Sequence, residues 1–160
     1  MQKGVKMLEK IIEALKKTGK YEFAPSSPEY IQFLKDHQFS KKIINFYEKF
    51  NPETICQLDE VFDGIRLFPI QEAIFETAEM YPGAALAPYS FFVIAANQFG
   101  DCYLIDGRND DINGDVPIVF ASHELFCGEV SEDYINENID NVCESLYKFL
   151  ELLSTEKIKN

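Results

Sequence analysis

The chain has 160 residues and 18.4 kDa, 46% of them hydrophobic and 26% charged, which excludes a disordered or fibrous polymer. At this length about 70% of the unfolded chain's surface can be buried, so a core needs no disulfide or metal staple, and one domain over residues 1–160 is expected. The formal net charge of −12 weighs against nucleic acid and anionic membrane as partners, since both are polyanions.

The charge is unevenly placed. Residues 1–50 hold ten lysines against six acids, whereas residues 51–147 hold only Arg66 and Arg108 against nineteen acids. A field of that sign attracts a basic partner over roughly a Debye length, ~8–10 Å, although acidity also serves plain solubility. No apolar run approaches the ~18 residues that a membrane span requires. The opening MQKGVKMLEKIIEALKK mixes charge with apolar residues and does not read as a signal peptide. Cys56, Cys102, Cys127 and Cys143 show no paired spacing and sit among apolar neighbours, so reduced thiols in the cytoplasm are expected.

Taken in order, Val5, Leu8, Ile11, Ile12 and Leu15 recur at helical spacing and predict a helix over about 5–17, ended by Gly19. Ser26-Ser27-Pro28-Glu29 opens a second helix, with Ser26 and Glu29 as a candidate capping box and Tyr30, Ile31, Phe33 and Leu34 inward. A third, about 41–50, follows Ser40 as cap and stops at Asn51-Pro52. Residues 53–58 and 65–68 predict short strands, and 70–80 a helix closed by Tyr81-Pro82-Gly83.

Three runs rich in β-branched and aromatic residues follow, at 91–96, 102–105 and 116–121. They predict an antiparallel meander whose first link is Asn97-Gln98-Phe99-Gly100 and whose second is a long polar loop, 107–115. After an acidic loop at 128–133, a final helix is predicted over about 139–153. Helices, then strands, then a helix make an α+β arrangement rather than alternating βαβ units.

The candidates for chemistry are thin. Cys102, His123 and Cys127 lack the paired short spacing of a zinc site. Asn109, Asp111, Asn113 and Gly114 begin like an EF-hand loop, but its twelfth position, where a bidentate Glu is required, is Phe120. Ser122-His123-Glu124 holds triad residue types, yet neighbours along a strand point to opposite faces. Phosphate-cradling glycine patterns are missing from the sequence. No catalytic residue, metal or cofactor is therefore expected.

Several stretches resemble the SUKH superfamily, which includes yeast regulators of the Smi/Knr type and bacterial immunity proteins. These are Ile31-Gln32-Phe33-Leu34, and Gly64-Ile65-Arg66-Leu67-Phe68 ahead of Gln71–Met80. Phe92–Ala95 followed by Gly100–Asp106, Val116–Val119 followed by His123-Glu124, and Ser145–Leu150 complete the likeness. Phe50-Asn51-Pro52-Glu53 departs from it, where the family commonly carries an Asn-Gly pair. The resemblance implies a central, twisted, mostly antiparallel sheet flanked by N- and C-terminal helices, in a protein that binds and blocks a cognate toxin, often a nuclease. For the eukaryotic branch it implies a regulatory or scaffold module instead. A nuclease must be basic to hold phosphates, so an acidic antidote suits it. The expected contact residues are Asp101, Asp106, Asp110, Asp111 and Asp115. Asp101 has a second reading as a cap for the hairpin turn, and the others as solvated loop residues.

Overall fold

The computed structural model describes residues 2–55, 64–108, 114–155 and 157–158. Helix α1 (Gln2–Lys17) ends at Gly19, whose φ of +76° suits a residue without a Cβ. It buries Leu8, Ile11, Ile12 and Leu15, the apolar stripe that the spacing predicts. Strand β1 (Tyr21–Ala24) pairs antiparallel with β2 (Asn51–Thr54), in the register Tyr21 to Thr54. Between them lie α2 (Pro28–Asp36) and α3 (Lys41–Phe50). Ser40 caps α3 by accepting the Ile43 N–H at 3.4 Å.

Two local expectations at this end are corrected. Ser26 closes no capping box: its hydroxyl donates across to the Tyr47 carbonyl, and Ser27 occupies the N-cap position of α2. The strand expected at 53–58 runs over Asn51–Thr54, because Asn51 and Pro52 enter β2 directly from α3. Cys56 and residues 57–58 lie outside the described residues. Asn51 also reaches across the chain, its side-chain oxygen accepting the Ile70 N–H at 2.7 Å. That satisfies one of the orphan donors at the start of α4 (Ile70–Glu79).

Strand β3 (Arg66–Leu67) precedes α4, and a short helix, α5 (Gly83–Leu86), leads through a 3₁₀ turn at Ala87–Tyr89 to the meander. Its strands are β4 (Phe91–Ala96), β5 (Cys102–Asp106) and β6 (Ile118–Ala121). Pro117 stands just before β6, and its carbonyl accepts the Asp106 N–H at 2.9 Å. The expected single helix over 139–153 is two elements instead, β7 (Asp140–Cys143) and α7 (Leu146–Ser154), and a further helix, α6 (Glu132–Asn138), precedes them where an acidic loop was expected. Ile139, Val142 and Cys143 fit a helical stripe in sequence, but β6 would otherwise be left with a bare edge. Pairing β7 along it, Val119 opposite Asn141, prevails over the periodicity.

Among the described residues the larger sheet is antiparallel throughout, in the order β3-β4-β5-β6-β7, as the α+β reading requires. Every residue of β4 and β5 is buried, so both faces of the sheet are covered. Val93, paired with Leu104, meets the start of α5. Tyr103 points the other way, with its ring 5.1 Å from Phe120 and 5.2 Å from Phe149 of α7. A fully buried aromatic such as Phe149 is worth roughly 3–5 kcal/mol against alanine, so α7 is integral to the fold. Helix α1 packs in turn on α7. None of the described helices is long and apolar enough to cross a membrane.

Candidate functional site

The five expected contact residues fall in different environments. Asp110 and Asp111 lie outside the described residues. Asp101 immediately precedes β5 at the end of the hairpin turn. Its Oδ1 accepts from the His123 backbone N–H at 3.0 Å and lies 2.7 Å from His123 Nδ1, while Oδ2 accepts from Asn97 at 3.3 Å. Capping of the turn falls to Asn97, whose Oδ1 accepts the N–H groups of Phe99 and Asp101 at 2.9 and 3.0 Å. Partial burial acts to raise the Asp101 pKa, but these hydrogen bonds outweigh it and hold the carboxyl below its ordinary value.

That depression fixes the sign of a pH effect. A carboxyl with a lowered folded pKa contributes stability above its unfolded pKa, about 3.9, and loses it as pH falls through the folded value. Asp101→Asn is therefore expected to lower the urea midpoint at pH 7 and to flatten the acid limb of the stability profile. Parallel profiles for the two proteins would show that the Asp101–His123 link contributes nothing.

Asp106 is only 5% exposed. Arg108 holds both its oxygens, through Nε and an Nη at 2.9 Å each, and the Arg108 backbone N–H adds a third bond at 3.1 Å. The same guanidinium donates to Asn136 of α6 at 2.8 Å and lies 4.8 Å from the centre of the Phe91 ring. The bonds to Asp106 push the Arg108 pKa up. To a partner this pair presents no net charge; what it does is bolt the end of β5 to α6. Asp115 is half-buried and paired with Lys42 of α3 at 2.7 Å.

The exposed negative charge lies further along the chain. Glu124, Glu129, Asp133, Glu137, Asp140 and Glu144 are all exposed, and residues 109–147 contain no lysine or arginine. The acidic loop at 128–133 hinted at this region, but α6, which displays two of these acids, was not legible. Tyr134 of α6 donates to the Leu125 carbonyl at 2.6 Å and packs edge-on to Phe126, so the helix lies over the segment that leaves β6.

An apolar groove of about 590 Å³ lies between the α2–α3 link, α4 and β4, with Phe33, Phe39, Ile74 and Phe92 in its walls. His37 is the one ionisable side chain among its described lining residues, and its Nδ1 is bonded to the Phe33 carbonyl at 2.8 Å. Two of the groove's hydroxyls are engaged with backbone, Ser40 accepting the Ile43 N–H at 3.4 Å and Thr77 donating to the Ala73 carbonyl at 2.7 Å. Of the adjacent Ser122, His123 and Glu124, the Ser122 hydroxyl accepts the Glu124 N–H and the His123 ring bonds Asp101. Burial pushes the Cys102 thiol to about 12, so at neutral pH it is protonated rather than a thiolate ligand. Among the described residues no group of three His, Cys, Asp or Glu side chains is placed to hold a metal ion.

No family model and no curated protein matches this chain. What the described surface offers a partner is charge: exposed acids between residues 124 and 144, and the exposed lysines of α1.

Proposed function

We propose that this chain is a SUKH-type immunity protein that binds a cognate basic toxin, for instance a nuclease, and blocks it by direct contact. One observation carries the reading: residues 51–147 hold nineteen acids against two arginines, an excess that pairing with those arginines cannot cancel. Both arginines between residues 51 and 147 are engaged within the chain, Arg66 with both Glu72 oxygens at 2.8 Å and Arg108 with Asp106. The nineteen acids of that segment therefore dominate its field, and a cationic face is what such a field draws in. The antiparallel sheet between helices agrees with the fold that the resemblance implies. The exposed lysines of α1, Lys6, Lys10 and Lys17, favour a second reading, a regulatory module that docks an acidic partner through that helix.

The test is to read the adjacent reading frame and, where it encodes a basic toxin domain, to co-express that domain with this chain. The expected result is relief of toxicity and a stable complex, whose association rate falls at least ~10-fold between low and high salt. A toxin domain that stays active beside this chain, or an association rate indifferent to salt, overturns the proposal.

A further inference from the structure

We infer that the β4–β5 turn and the exit of β6 form the docking end for that basic partner, with Phe99 as the anchor that enters an apolar hollow on it. The inference rests on the basic-partner reading above and adds where contact is made and by which side chain. Phe99 is 61% exposed at the tip of the turn. A lone exposed apolar residue is ordinary, so exposure by itself decides nothing. Three further observations set this one apart.

The first is rigidity. Asn97 is buried and takes the N–H groups of Phe99 and Asp101, while its own N–H donates to the Asp101 carbonyl at 3.0 Å. Gly100 completes the turn at a φ of +87°. Asp101 then fastens the turn to His123 through two bonds. An anchor whose backbone is already fixed loses little freedom on binding, and aromatic anchors dominate protein interfaces. The second is a neighbouring apolar contact at the same end. Leu125, two residues beyond His123, is 44% exposed, and its carbonyl is held by Tyr134.

The third is the charge around them. Glu124 stands between His123 and Leu125, and Glu129 and Asp133 are exposed on the approach to α6 and in its first turn. No lysine or arginine falls between 109 and 147, and Arg66, which β3 sets opposite Ala96 beside the turn, is taken up by both Glu72 oxygens, so among the described residues the charge left around the apolar centre is acidic. A second copy meeting this end with its own like end would set like charges face to face and is disfavoured. The complementary occupant is a protein surface with a Lys/Arg rim around an apolar hollow.

A phage-displayed library of random peptides panned on the immobilised full chain tests this without knowledge of the natural partner. Peptides that combine Lys or Arg with apolar residues are expected to enrich. Their affinity is expected to fall roughly 30-fold on Phe99→Ala. On Phe75→Ala, a comparably exposed aromatic (55%) on α4, it is expected to be unchanged. Equal unfolding midpoints for both variants exclude a folding defect. Basic peptides that bind Phe99→Ala as well as the native chain overturn the docking end and leave the basic-partner reading standing. Enrichment of peptides without Lys or Arg, or of none, overturns both.

Discussion

Replacing Asp106 by alanine is expected to destabilise the protein by about 3 kcal/mol, the low end of the range for breaking a buried ion pair. The low end applies because the Arg108 side chain keeps 19% of its surface exposed and can still reach Asn136 and, at 3.9 Å, Glu132. What is lost is the whole two-pronged contact and the bond to the Arg108 N–H, leaving a guanidinium half out of water above the Phe91 ring. For a chain of this length that corresponds to a fall in melting temperature of about 6–12 °C. The double variant Asp106→Ala/Arg108→Ala is expected to be less destabilised than the sum of the singles, since it strands no charge. Urea unfolding checks both. A loss under ~1 kcal/mol for Asp106→Ala would mean that α6 is held without this bolt.

Reversing three exposed acids, Glu129→Lys, Asp133→Lys and Glu137→Lys, is expected to slow association with the basic partner by one to two orders of magnitude at low salt. Dissociation should change far less, because long-range attraction acts on the encounter and not on the closed interface. All three side chains are exposed, so stability should move by no more than about 0.5 kcal/mol per site. Stopped-flow binding at two ionic strengths separates the effects. If reversing Asp110 and Asp111 slows association more than the α6 set does, the loop and not the helix steers the encounter. Asp115 is a poor probe of this question, since its change would also release Lys42 from α3.

The two predictions depend on each other. Arg108 sets α6 against the end of β5, and α6 in turn, through Tyr134, sets the segment that carries Leu125. Weakening the Asp106–Arg108 pair should therefore loosen the acidic face even though neither residue offers net charge to a partner.

Local chemistry along the chain was enough for α1, α3, α4 and the three meander strands, because caps, apolar spacing and turn glycines act between near neighbours. Ser40 before α3 and Gly19 after α1 are read directly from such patterns. The charge imbalance is also a property of the sequence alone, and with it the sign of the field over residues 51–147. Tertiary structure decided the rest. Val142 and Cys143 suit a helix or a strand equally well, and only the open edge of β6 selects the strand. Asp101 and Asp106 read as solvent-facing acids until His123, twenty-two residues away, and the folded-back Arg108 are brought onto them. The sequence places Phe99 in the link between two strands, but its exposure at the tip is decided only when the turn is built. Side-chain periodicity records which face of an element is apolar; which groups meet across the fold, and so which charges are spent inside and which remain for a partner, depends on distant contacts that no local pattern contains.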